Sequence, residues 1–184
     1  MALNATLYNI DIALSDSDRG VYQSLELRVA QHPSESTQYL ATRLLAYCLE
    51  CTEGLAFSKG LSDTDVPALM VRNLRGELTS WIEVGLPEPA RLHKAAKASP
   101  RVAVYVHKDL SSWLPRLAAA SIHRAREVEI YAIDLGMISS LATQITRRMK
   151  WDLVVTDRHV YLSLGESTIS GGVERYWIEE IKTR

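Results

Sequence analysis

Two acidic and two basic residues in the middle of the chain carry the chemistry that this sequence most readily supports. Glu83 interrupts an otherwise apolar strand pattern, "WIEV", and Asp65 lies in the turn-like segment "SDTDVP". Two carboxylates held at one edge of a sheet can bind a hard divalent cation such as Mg²⁺ or Mn²⁺. Beside such a cation, a basic group could orient water or offset charge during phosphodiester hydrolysis. Arg91 and Lys94 follow on the next predicted helix, and their spacing places them on one face.

These residues also have a structural interpretation. A buried carboxylate costs free energy unless a cation pairs with it, so Glu83 could instead be a core charge neutralised by Arg72, Arg91 or Lys94. The segment "SDTDVP" is also good turn chemistry, in which Asp63 could replace Asp65. The geometry separates the two interpretations. Catalysis requires both carboxylates to lie close together in an open cleft, whereas a Glu83 closed off by an arginine favours a structural role.

Length and charge limit the function classes. With 184 residues and 47% hydrophobic content, the chain can bury one core, so we predict a single domain over residues 1–184. Lys and Arg number 21 against 22 Asp and Glu, so any contact with nucleic acid must be local. The sequence contains neither a signal-like start nor an apolar run of about 18 residues, so we expect a cytoplasmic protein without membrane contact.

The two cysteines, Cys48 and Cys51, form a C-x-x-C pair at the end of a predicted helix. The helix dipole disfavours a thiolate at that end, which argues against a redox motif. A zinc site would need further ligands of the same kind. We therefore interpret both residues as buried structural thiols.

Hydrophobic periodicity predicts a mixed α/β (α+β) protein with a central mixed sheet flanked by helices. Alternating apolar residues predict a long N-terminal hairpin over residues 8–29, and Ser34 is the predicted N-cap of a helix that runs to about Glu53. A second hairpin system ends at "LTSWIEVG", a helix with prolines in its first turn follows, and "RVAVYVH" is typical of a buried strand. Helices and strands alternate thereafter, and "RRMK" at 147–150 is typical of a solvated helix end.

The order of the elements around Glu83 resembles the core of PD-(D/E)xK nucleases. That core has the chain order helix, strand, acidic turn, strand bearing the glutamate, second helix and buried strand. This sequence departs from the motif because Gly85 stands two residues after Glu83, where the motif has lysine. Arg91, Lys94 or Lys97 on the next helix would then have to supply the positive charge.

The chain also resembles the YaeQ proteins along its full length. The segments that carry the resemblance are "MALNATLYNIDIALSD", "RVAQHPSE" at 28–35, "RLLAY" at 43–47, "KGLSDTDVP" at 59–67 and "WIEVGLPEPARLHKA" at 81–95. The resemblance implies a variant PD-(D/E)xK fold with Asp65 and Glu83 as the acidic pair. It also implies that Arg91 and Lys94 lie in the basic helix, in a family of uncharacterised proteins.

Glu35 is a further candidate. It lies in "HPSE", where relatives of the nucleases often place an additional metal-binding acid. An acid in the first turn of a helix also stabilises the helix dipole, and Ser34 beside it is an ordinary cap. We favour the capping role for Glu35 over metal contact.

Two hypotheses of function follow from these residues. The first is a Mg²⁺-dependent phosphodiesterase that acts on nucleic acid through Asp65, Glu83 and a relocated lysine, with Mn²⁺ as the alternative cation. The second is a catalytically inactive relative that keeps the fold in order to bind a protein or a nucleic acid. The sequence lacks the serine-hydrolase elbow, the P-loop and the dinucleotide-binding glycine pattern, which removes those enzyme classes.

Overall fold

A mixed β-sheet of ten strands forms the frame of the protein in the computed structural model, which describes residues 4–58 and 65–178. The strands are β1 Thr6–Asp16, β2 Val21–Gln31, β3 Leu55–Phe57, β4 Leu69–Arg72, β5 Leu78–Val84, β6 Arg101–Val106, β7 Val128–Ile133, β8 Arg148–Thr156, β9 His159–Leu164 and β10 Ser167–Trp177. The helices are α1 Thr37–Leu49, α2 Pro89–Ala98, α3 Trp113–Ala119 and α4 Leu135–Gln144. The strand order across the sheet is β2-β1-β8-β9-β10-β7-β6-β5-β4-β3.

Strand β10 joins the two halves of this sheet. Its first half pairs with β9 and its second half, from Val173 onward, pairs with β7. The pairs β1/β8, β5/β6 and β6/β7 are parallel, and the remaining pairs are antiparallel. The predicted single α+β domain with a mixed sheet and an N-terminal hairpin is therefore confirmed at this level.

The two faces of the sheet bury different helices. In β6, Ala103 and Tyr105 belong to the core that contains α1 and α4, whereas Val102 and Val104 belong to the core that contains α2 and α3. Strand residues alternate between the faces, so each side chain of β5 and β6 is assigned to one core or the other. This alternation decides where the side chain of Glu83 points.

The first helix begins two residues later than the sequence predicts. Ser36, not Ser34, is the N-cap, and its hydroxyl accepts a hydrogen bond of 3.1 Å from the Tyr39 amide. The Ser34 hydroxyl instead lies 2.6 Å from Nδ1 of His32. Glu35 consequently precedes the helix, so the expected first-turn capping role for it is wrong. The helix ends at Leu49 rather than near Glu53.

The composition of the basic run at 147–150 suggested a helix end, but the structure shows that this prediction is wrong. Helix α4 stops at Gln144, and Arg148–Lys150 form the start of β8, in parallel register with Asn9–Asp11 of β1. Met149 is buried while its neighbours are exposed, which is the period-two pattern of a half-buried strand. Pairing with the long N-terminal hairpin outweighs the local helical pattern here.

The cysteines are free and buried, as predicted. Burial raises the pKa of both thiols, and Cys51 donates a 3.4 Å hydrogen bond to the Gln23 side chain. Among the helices of residues 4–58 and 65–178, we find none long and apolar enough to cross a membrane.

The turn between α1 and β3 depends on Gly54. Its φ is +81°, and a Cβ at this position would lie 1.9 Å from the Arg72 carbonyl oxygen. We expect Gly54→Ala to lower the free energy of unfolding by roughly 3 kcal/mol, because the left-handed backbone and the backbone overlap both add cost. Urea unfolding measures the loss.

Gly76 provides the matched control. It has the same φ of +81° with nothing within 4 Å of an added Cβ. Gly76→Ala should therefore cost only about 1 kcal/mol. Equal losses in the two variants would show that the close approach to Arg72 contributes nothing.

Candidate functional site

Glu83 lies near the end of β5 with its side chain on the α2 side of the sheet. Trp81 shares this face and packs in the core with α2, whereas Ile82 and Val84 pack in the core with α1. Glu83 is 4% exposed. Its Oε1 accepts a hydrogen bond of 2.6 Å from the Trp81 indole and one of 2.7 Å from Nε of Arg91. The carboxylate is thus closed off by an arginine.

Helix α2 also pairs with the second acid, Asp65. Arg91 binds Glu83 through Nε and donates through a terminal nitrogen to the Val66 carbonyl at 2.8 Å, next to Asp65. One turn later on the helix, Lys94 pairs with Asp65 at 2.5 Å. Asp65, Glu83, Arg91 and Lys94 therefore form one acid–base cluster.

The two acids of the acid–base cluster have different environments. Burial raises the pKa of Glu83, although the Trp81 hydrogen bond and Arg91 both act against this shift. The hydrogen bond and charge of Lys94 lower the pKa of Asp65, which is 74% exposed in its side chain. Glu83 is therefore a core charge that depends on Arg91, whereas Asp65 forms a surface ion pair of small energetic value.

The acid–base cluster does not fit a preassembled divalent-metal site. No group of three or more Asp, Glu, His or Cys residues in the described parts of the chain is arranged to hold an ion. Both acids already have cationic partners, and Glu83 Oε1 accepts two hydrogen bonds. A cation could approach only Oε2 without displacing Arg91 or Trp81, and the Glu83 side chain is 5% exposed.

The backbone at position 85 disfavours a lysine. Gly85 follows the end of β5 with φ +95°, a conformation that a lysine adopts only at a cost. A Cβ on Gly85 would lie 4.0 Å from Cε1 of His107, so this space is bordered by imidazole. The positive charge beside Glu83 consequently comes from helix α2.

A second group of polar side chains lies around the start of α1. Glu35 is 6% exposed and pairs with the buried Arg43 at 3.1 Å, yet neither of its carboxylate oxygens accepts a hydrogen bond from the described residues. Burial raises the pKa of Glu35. Burial also raises the pKa of Tyr39 to about 12, and Arg43, Glu35 and Glu83 all act on it. Tyr39 therefore lies between the Glu35 pair and the acid–base cluster.

Sequence reasoning missed His107 and Arg43. His107 is 7% exposed, packs edge-on against Tyr39 at 6.2 Å between ring centroids, and burial lowers its pKa to about 4. A histidine directly after the buried strand "RVAVYV" was a usable signal. Arg43 gave no such signal, since an arginine inside a helical pattern is ordinarily solvated. Trp81 packs in the core with α2 and also donates a hydrogen bond to Glu83.

These observations define a mixed α+β protein with an ion-paired acid–base cluster at the end of parallel strands. Comparison with known families matches residues 1–171 to the family described as "YaeQ protein". The chain is 30% identical over 165 residues to the "Uncharacterized protein YaeQ" of Salmonella typhi and 28% identical to that of Escherichia coli. Each match covers 89% of this chain and 91% of the relative.

Two crystal structures share the fold. The YaeQ protein from Xanthomonas axonopodis pv. citri superimposes with a TM-score of 0.88 at 30% identity, over 94% of this chain and 98% of that one. The YaeQ protein from Pseudomonas syringae gives 0.84 at 31% identity, over 93% and 95%. The chain belongs to the YaeQ family.

The buried ion pair of Glu83 makes a pH-dependent prediction. Arg91→Ala should lower the free energy of unfolding by roughly 2 kcal/mol at neutral pH, because a buried carboxylate loses its cation, although Arg91 is itself 29% exposed. The folded-state pKa of Glu83 is already above 4.5, and losing Arg91 raises it further. The loss should therefore be greatest at neutral pH and shrink as the pH falls toward 4.5.

Urea unfolding at a series of pH values measures this effect. The double variant Arg91→Ala with Glu83→Gln should recover most of the loss at neutral pH, because no unpaired charge remains buried. A loss that is independent of pH and that Glu83→Gln does not relieve would contradict an electrostatic origin.

Proposed function

We propose that this protein is a non-catalytic binding protein on a variant PD-(D/E)xK scaffold, in which the acid–base cluster is a structural network. Helix α1, the β4/β5 hairpin, helix α2 and strand β6 follow one another in the order of that core. The observation that carries the proposal is the enclosure of Glu83 by Arg91 and Trp81. A carboxylate held in this way links strand β5 to helix α2 and is not free to bind a catalytic cation.

The charge of the surface around α2 favours a protein partner over nucleic acid. Arg91 and Lys94 are paired with acids of the cluster, and Arg116 of α3 is paired with Glu88 at 2.5 Å. These three cations are therefore neutralised within the protein and offer phosphate no surplus charge. The net charge of −1 points the same way.

An exposed apolar surface lies on the other half of the sheet. Leu7 in β1, Val154 in β8 and Tyr161 in β9 are 45%, 43% and 42% exposed. Val154 and Tyr161 are direct cross-strand neighbours. The residues next to them along β8 and β9 point to the other face of the sheet and are buried in the core that contains α1. Leu7 lies apart from this pair, because Val154 is in register with Ser15, eight residues further along β1. The exposed apolar pair of Val154 and Tyr161 supports the proposed partner class, since adjacent exposed apolar side chains are typical of protein contact surfaces.

A metal-dependent phosphodiesterase is the second candidate function. The convergence of Asp65, Glu83 and Lys94 from three separate segments favours it, because this is the set of residue types that such a site uses. In this alternative Mg²⁺ or Mn²⁺ would have to compete with Arg91 and Lys94 for the two carboxylates. Glu35 would be a further ligand only after separation from Arg43.

Calorimetric titration of Mg²⁺ and Mn²⁺ distinguishes the two candidates. We expect no binding heat with the unmodified protein, because both carboxylates have cationic partners. Cation binding that is lost in Glu83→Ala would instead establish the second candidate. The same titration is made with Arg91→Ala. Binding of a cation to this variant but not to the unmodified protein would show that the guanidinium occupies the position of the ion.

Titration of fluorescently labelled single- and double-stranded oligonucleotides tests the partner class. At low salt, where phosphate contacts are strongest, we expect no change in anisotropy beyond that given by an acidic control protein. Binding that weakens steeply with added salt would contradict the preference for a protein partner. Lys94→Ala would then show whether the α2 face carries the contact.

A further inference from the structure

A cleft of about 690 Å³ lies between the two halves of the sheet, at the C-terminal end of α1. Its walls come from β1 and β8 on one side and from β5, β6, β7 and β10 on the other, so the sheet curves until its halves face each other. Ser80 of β5 lines the cleft, whereas Glu83 points to the opposite face of that strand. The cleft is therefore separate from the acid–base cluster.

Two tyrosines and a doubly paired arginine make one wall rigid. Tyr105 and Tyr131 stack with centroids 5.0 Å apart and planes 19° apart. Their hydroxyls donate to Glu50 at 2.7 Å and to Glu129 at 2.6 Å. Arg101 joins the same two carboxylates, with contacts of 2.6 and 2.9 Å to Glu50 and 2.8 Å to Glu129. This network fixes the wall and neutralises Arg101.

Arg158 also lines the cleft, and its side chain differs from that of Arg101 in having no partner in the described parts of the chain. It lies in the tight β8/β9 turn with φ +56°, a conformation unusual for arginine. The Asp18 carboxylate accepts hydrogen bonds of 2.8 Å from the amides of Asp157 and Arg158, and the Val173 amide donates at 2.8 Å to the Arg158 carbonyl. The backbone of Arg158 is thus anchored, whereas its guanidinium has no hydrogen bond or ion pair with the described residues.

Arg175 is the second cation available to a ligand. Its guanidinium carbon lies 3.9 Å from the Trp177 ring centroid and 5.6 Å from that of Tyr131. Its contact with Glu129 is long, at 3.6 Å. Arg19, by contrast, is fully engaged by Asp16 and by the carbonyls of the C-x-x-C segment. Arg101 and Arg175 together offset the charges of Glu50 and Glu129, so Arg158 is the cation of the cleft whose guanidinium has no side-chain partner among the described residues.

We propose that this cleft binds a small organic anion: a planar ring that carries a phosphate or a carboxylate group. The anionic group contacts Arg158 and Arg175, since guanidinium groups bind both kinds of anion through paired hydrogen bonds. The ring packs against the aliphatic side chains of Leu49, Val71 and Val173 that line the cleft. The volume lies within the range of about 300–1,000 Å³ that small-molecule sites occupy.

Calorimetry with four probes tests the proposal on the full chain. Adenosine 5′-monophosphate and indole-3-carboxylate carry a ring and an anion, of the phosphate and carboxylate kinds respectively. Adenosine and inorganic phosphate carry one feature each. We expect at least one of the first two probes to bind with a Kd below about 1 mM and to bind more tightly than both single-feature probes. The probe that binds identifies the anionic group.

Variants of Arg158 locate the binding site. Arg158→Ala should weaken binding roughly tenfold or more, and Arg158→Lys should weaken it less because the charge remains. Arg75→Ala removes the same charge from the exposed β4/β5 turn and should leave binding unchanged. Thermal unfolding of each variant verifies that the fold is intact. The proposal is overturned if neither two-feature probe binds below about 1 mM, or if Arg158→Ala and Arg75→Ala behave alike.

Discussion

Helix α1 is enclosed by the curved sheet, and the charged groups near its ends must therefore be compensated inside the protein. Eight of its thirteen residues are buried, among them the arginine Arg43. At its start, Arg43 meets Glu35, and beyond its end Glu50 holds Arg101 and the Tyr105 hydroxyl. Removing one partner of such a pair leaves a buried charge whose cost exceeds the value of the pair itself. The cleft forms at the second of these ends, and Tyr39 lies between the first end and the acid–base cluster.

The need to neutralise buried charge also explains why Glu83 in the acid–base cluster is paired with an arginine. A strand glutamate under a packed helix needs a positive charge, and either a divalent cation or a guanidinium can supply it. Here Arg91 supplies it, and the same side chain ties Glu83 to the segment before β4 through the Val66 carbonyl. The arginine therefore does the structural work of joining β5, α2 and that segment. A bound metal would have to replace both its charge and this connection.

The sequence was sufficient where one local pattern determined the outcome. Alternation specified the hairpin β1/β2, prolines specified the start of α2, and the apolar run specified β6. The ion pairs of Glu83 with Arg91 and of Asp65 with Lys94 join residues that the sequence had singled out for a different, metal-binding role. The sequence failed where pairing across the fold decided the structure, as at Arg148–Lys150, where strand β8 replaces the expected helix end.

The cleft could not have been inferred from the sequence, because its polar groups come from distant segments. Arg101 meets Glu50 across 51 positions, and the amide of Arg158 meets Asp18 across 140. No motif links residues at such separations, and each of them taken alone is typical of a solvated surface. Only the closure of the two halves of the sheet through β10 gives these side chains a common location.

The glycine at position 85 shows how backbone geometry constrains the chemistry of this fold. Strand β5 ends in a left-handed residue beside His107, so a lysine at this point would carry a strained backbone. A positive charge for Glu83 must then come from another element, and the first turns of α2 are the nearest that pack against β5. The guanidinium of Arg91 reaches the carboxylate from that helix, and its central carbon lies 6.0 Å from the centroid of the Trp81 ring. The left-handed turn that follows β5 thus leaves Arg91 of α2 as the cation that pairs with Glu83.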